Sequence, residues 1–178
     1  MDRVAVFSST LQETDQWLHA VMDELGTDNI NTAYTALRSV LHEVRDRIPA
    51  DAAVHVGTQL PMLIRGLYYE GWKPSKPPTQ ERTLAKFLDG VRNHARGHDE
   101  LDPEKACRAV FGVLSSRIAP GEAVQARQLL PAEILPLWPA PGSGLGQAAD
   151  AMRRAEGTPS GEAPPEAIPQ PIGTGQAR

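Results

Sequence analysis

The chain has 178 residues, 40% hydrophobic and 22% charged, with a net charge of −4 and a pI near 5.7. That is the make-up of a globular protein with room for one domain or two small ones, and its acidity opposes polyphosphate partners unless basic residues are concentrated locally. A single cysteine, Cys107, excludes both an intramolecular disulfide framework and a four-cysteine zinc site; a reducing, cytoplasmic setting is expected.

The opening "MDRVAVFSSTLQ" has one basic residue and an apolar run of four, short of a signal peptide. No later stretch approaches the roughly 20 apolar residues of a membrane span. Residues 1–9 are read as an arm, and "VAVF" at 4–7 is an isolated strand-like pattern that makes no sheet alone. Thr10 followed by Glu13 predicts a capping-box helix start, and Gly26 a stop after the stripe Trp17, Leu18, Val21, Met22 and Leu25. In "INTAYTALRSVLHEVRDRI", Ile30, Ala33, Tyr34, Leu37, Val40, Leu41, Val44 and Ile48 recur at helical spacing and predict one buried stripe. "KPSKPPTQER", residues 73–82, reads as a stiff, exposed linker. Asp102 with Pro103, and less cleanly Pro120, mark later helix starts. From 140 to 178 the chain is dominated by Gly, Pro, Ala and Ser, and a disordered tail is expected.

An offset of 70 residues places Trp17 on Phe87, Leu18 on Leu88, Val21 on Val91, Leu37 on Cys107, Arg38 on Arg108, Leu41 on Phe111, Arg47 on Arg117, Leu60-Pro61 on Leu130-Pro131, Ile64 on Ile134 and Tyr68 on Trp138. Two tandem units follow, residues 10–72 and 83–139, each with two longer helices, a short third and a short apolar fourth. Neither is large enough to cover its own stripes, so the expected product is an all-α, pseudo-twofold helical bundle over 10–139. Both monomer and swapped dimer satisfy this. Tyr68 and Trp138 are expected in the core because a shared fold asks both copies to fill the same hole. Tyr69, Glu70, Trp72 and Lys73 occur in one copy only, beside the linker, and are the candidate partner contact, or a plug between the halves.

The "FL..V" pattern, the long amphipathic helix, and above all "QLPMLIRGLYYEGWKP" at 59–74 resemble the bacterial family catalogued as domain of unknown function 2267, over residues 11–139. The resemblance implies an all-helical fold and carries over no catalytic residue, metal or cofactor.

His94 and His98 are four apart but lack further ligands, and Gly97 marks a helix end, where histidines suit the dipole. Cys107 overlies Leu37 and is read as a buried hydrophobe. The carboxylates, including Glu43 with Asp46, are read as solvated. Arg38 and Arg108 recur in both copies, and symmetry offers them as an anion site suited to the guanidinium fork. Lys73, Lys76, Arg82, Lys86, Arg92 and Arg96, with His94, His98 and nearby Trp72, form the most basic stretch, interrupted by Glu81 and Asp89. The first functional reading is a non-enzymatic module that binds another protein or itself. The alternatives are a nucleic-acid accessory protein using Lys76, Arg82 and Lys86, and a ligand binder or enzyme with its site between the repeats.

Overall fold

The computed structural model describes residues 4–138. Within them the chain forms seven α-helices and one short 3-10 turn, with no strand among the described residues. The expected tail, 140–178, lies outside them.

Helix α1 spans Ala5–Leu25, so it begins before the expected start at Thr10, and "VAVF" is mostly helix rather than strand. No proline or glycine separates Ala5 from Thr10, and extending an existing helix avoids the cost of nucleation. Thr10 is buried, and its carbonyl accepts the Thr14 hydroxyl at 2.8 Å. The predicted stop holds: Gly26 adopts φ 66°, and Thr27 N–H donates to the Met22 carbonyl in a left-handed helix cap.

Helix α2, Ile30–Arg45, starts at Asn29, whose side chain accepts from Asn31 N–H at 2.9 Å. Helices α3 (Ala50–Thr58) and α4 (Met62–Tyr69) each follow a proline. The linker then runs without regular structure to α5, Leu84–His94, and one backbone bond, Thr79 N–H to the Asp46 carbonyl, ties it to the C-cap of α2. The Asp102 side chain caps α6 (Pro103–Arg117) by accepting from Glu104 N–H, and α7 covers Pro120–Gln128.

The last element is a departure. Where a short helix was expected, the chain makes one 3-10 turn, Leu135–Leu137. Pro136 has no N–H to donate, and Pro139 pushes Trp138 to an extended conformation (φ −99°, ψ 107°), which ends any helix there.

Helices α2 and α6 pack together inside, and α1 and α5 each lie against both of them. The core joins Trp17 and Val21, Leu37, Val40 and Leu41, Phe87 and Val91, and Cys107, Val110 and Phe111. Tyr68 and Trp138 are both buried, as expected. The Tyr68 hydroxyl donates to the Ala53 carbonyl at 3.1 Å, and Trp138 Nε1–H donates to Ser115 Oγ at 2.7 Å, so neither polar tip is left unsatisfied. Contacts between the halves are reciprocal. The Arg47 guanidinium lies 5.3 Å from the Phe87 ring centre, and that of Arg117 lies 5.9 Å from Trp17. Both pairs keep the offset of 70.

Phe111 stacks on Trp138 at 4.5 Å between ring centres and faces Phe87 at 6.3 Å. Phe111→Ala removes that shared ring and is expected to cost about 3–5 kcal/mol, read as a lowered urea midpoint with an unchanged slope.

Candidate functional site

The single-copy aromatic segment turns inward. Tyr69 lies against Gly57 of α3, where an added Cβ would collide with its hydroxyl, and that hydroxyl donates to the Val54 carbonyl at 3.2 Å. Trp72 stacks on Tyr69, 5.4 Å between centres, and both rings are half-buried against the core. The Glu70 carboxylate accepts from Arg38 Nε at 2.8 Å, and its carbonyl accepts from Arg45 at 3.0 Å. Lys73 is exposed at the mouth of a cleft. The rings thus pack within the first half, against α3 and each other, while Glu70 and Lys73 keep solvent-facing groups.

That cleft, about 630 Å³, lies between the C-terminal half of α2, the linker and α5, and is walled by Glu43, Asp46, Trp72, Lys76 and His94. Glu43 and Arg45 of α2 line it, and with the neighbouring His42 they are the buried ionisable residues of that helix. Glu43 was expected to be solvated and is not. It pairs with Arg47 Nε, with His94 Nε2 3.4 Å from its other oxygen, and it fits only because Gly90 of α5 has no side chain to strike it. A solvated face was the wrong reading because α2 is flanked by α1, α4, α5 and α6 and has little open side.

His42 Nε2–H donates to the Leu67 carbonyl at 2.7 Å, and the Arg45 guanidinium donates to the carbonyls of Tyr68 and Glu70. These are terminal carbonyls of α4, past the last full helical bonds; that of Leu67 also accepts the Glu70 N–H at 3.2 Å. Burial lowers the His42 pKa to about 4, against the raising effect of its carbonyl bond and with added repulsion from Arg45, Arg38 and His94.

The histidines and the paired arginines among the sequence candidates have local partners. His94 sits by Glu43 and by Asp46 at 3.7 Å, whereas His98 sits 3.5 Å from Glu100, and no cluster of three metal-binding side chains occurs among the described residues. Arg38 also reaches the His94 carbonyl, while Arg108 binds Glu104 at 2.8 Å and the Pro136 carbonyl at 3.0 Å. Each guanidinium thus has its own carboxylate. Lys76, Arg82 and Lys86 are exposed, but Lys86 shares a second cleft with Glu81 and Asp89, and Asp89 holds Arg92 at 3.0 Å. Cys107 is buried as expected; burial, with Glu43, Glu104 and Asp102 adding, pushes its thiol pKa up, away from a nucleophile's range.

Sequence reading missed an apolar face. Val4, Phe7 and Leu11 are 60%, 58% and 49% exposed, and further along the same stripe of α1 lies a groove of about 430 Å³ lined by Thr14, Leu18, Tyr34, Leu63, Leu67 and Glu70. Tyr34 and Ile30, expected on the buried stripe of α2, open onto solvent. The three- and four-residue spacing of Val4, Phe7, Leu11 and Leu18 was the available signal.

The described residues thus define an all-helical protein with a polar cleft beneath its linker and an apolar groove on its first half. A family model described as "Uncharacterized conserved protein (DUF2267)" matches residues 14–137, and the chain belongs to that family. No curated protein matches it. No helix among the described residues is long and apolar enough to cross a membrane.

Unfolded His42 takes up its proton near pH 6.5 and folded His42 only near 4, so its contribution to stability is complete above pH 6.5 and is lost as pH falls to about 4. The loss is on the order of 3 kcal/mol, measured as the difference in urea stability between the wild type and His42→Gln across that window. Gly90→Ala forces a methyl into the Glu43 carboxylate and is expected to cost about 1–3 kcal/mol, visible as a lower melting temperature.

Proposed function

We propose that this chain is a non-enzymatic helical module that acts by contact with another polypeptide, and that its contact face is the apolar groove between α1, α2 and α4. The observation that carries this is the apolar lining of that groove, Leu18, Tyr34, Leu63 and Leu67, with the exposed Phe7 and Leu11 on the same stripe of α1 beyond it. Scattered exposed apolar side chains need no explanation, but a contiguous groove of them is where an apolar helix gains affinity. Glu70, fixed by Arg38, gives the groove a charged rim. In this reading Tyr69 and Trp72 hold Glu70 in place rather than form the contact face.

We also read residues 10–72 and 83–139 as two copies of one unit joined by the linker. Supporting this, α3 at 50–58 and α7 at 120–128 are related by the offset of 70.

The test is site-specific photo-crosslinking in the native cell from position 34 or 63, with position 124 on α7 as the control. A discrete polypeptide adduct is expected from the groove positions and not from 124, and Leu63→Glu should abolish the adduct formed from position 34. Absence of any groove-specific adduct would overturn the reading.

A further inference from the structure

We infer that the groove's occupant is a second copy of this chain: α1 pairs antiparallel with its counterpart, and Phe7 of each copy fills the groove of the other. This rests on the groove being a contact face and adds what fills it. Val4, Phe7, Leu11, Thr14 and Leu18 recur at alternating steps of three and four, the seam of a two-helix coiled coil. Residues 4–9, up to the buried Thr10, are all exposed, so the first turn of α1 is helix without a supporting surface among the described residues. An unsupported stretch of that length gains little stability from hydrogen bonding alone.

Direction follows from where the groove begins. One stripe of α1 is an exposed knob at Val4 and Phe7 and becomes a groove wall at Thr14 and Leu18. A surface carrying both knob and hole suits a twofold pair, in which each copy contributes the same patch. Antiparallel layering sets Phe7 against Leu18 and Leu11 against Thr14, so each overhang lies over the other copy's groove. A parallel pair would set Phe7 on Phe7 and leave both grooves open.

The exposed area agrees. Val4, Phe7, Leu11, Ile30, Tyr34 and Leu63 are 39–60% exposed. With side chains of ~150–250 Å² for the rings and somewhat less for the aliphatics, that gives roughly 500 Å² of apolar surface per copy. A standard interface buries about 800 Å² per partner, rather more than half of it apolar. In this register Glu13 and Asp15, the acids nearest the seam, stand level with the uncharged Gln12 and Thr10 of the other copy, and the two copies of Glu13 lie at nearly the same level, outside the seam.

The experiment is sedimentation of the full chain across the micromolar range, with Phe7→Glu alongside. The wild type is expected at twice the 19.3 kDa chain mass. Phe7→Glu should weaken association by about 30-fold or more while leaving helical circular dichroism unchanged, since Phe7 is 58% exposed and lies outside the core formed by the described residues. A wild type that stays monomeric, or a dimer indifferent to Phe7→Glu, overturns the inference. Geometry is read from disulfides. Phe7→Cys mixed with Leu18→Cys should cross-link, whereas Phe7→Cys alone should not, because an antiparallel pair holds those positions about 16 Å apart and a disulfide needs Cα atoms within about 7 Å. Ready cross-linking of Phe7→Cys alone overturns the antiparallel arrangement. A monomer whose groove nevertheless cross-links to a different polypeptide in the cell removes the second copy as occupant and leaves the proposed function standing.

Discussion

The rest of the structure depends on α2, a helix enclosed by others that nevertheless carries His42, Glu43 and Arg45 in its buried half. Ionisable groups taken out of water are costly unless they find partners there. Each does. His42 and Arg45 serve the terminal carbonyls of α4, and Glu43 is shared between Arg47 of its own helix's end and His94 of α5. Position and partner are thereby fixed together: α4 docks where α2 offers donors, and α5 approaches at Gly90, where it has no side chain.

From this follows the shape of both candidate surfaces. Capping α4 from α2 orients Glu70 toward Arg38 and sets Leu63 and Leu67 opposite α1, which opens the apolar groove. The same helix end, through the Asp46 carbonyl, holds the linker over Glu43 and His94 and makes the polar cleft. Groove and cleft are two faces of one arrangement, so a change at Arg45 would disturb both.

Much of the architecture was legible because it rests on periodic apolar residues. Trp17, Val21, Phe87, Val91, Tyr68 and Trp138 are buried where their spacing and their recurrence at the offset placed them. What was not legible depends on neighbours distant in sequence. Glu43 looks like any solvated helix carboxylate until Gly90 is brought against it. Tyr69 and Trp72 look like a free aromatic pair until Gly57 makes room for the tyrosine. Ile30 and Tyr34 fit the helical stripe, yet among the described residues no element covers them at that end of α2. The start of α1 was misplaced because a plausible cap at Thr10 gave no information about whether the helix continued upstream.

The reciprocal contact between halves also has a consequence during synthesis. Trp17 is covered in part by Arg117, a hundred positions later, so α1 emerges from a ribosome long before its second neighbour exists. At 5–20 residues per second that wait is roughly 5–20 s. Throughout it the apolar side of the first helix has only α2 and α4 for shelter, and the nascent chain is then most open to capture by a chaperone.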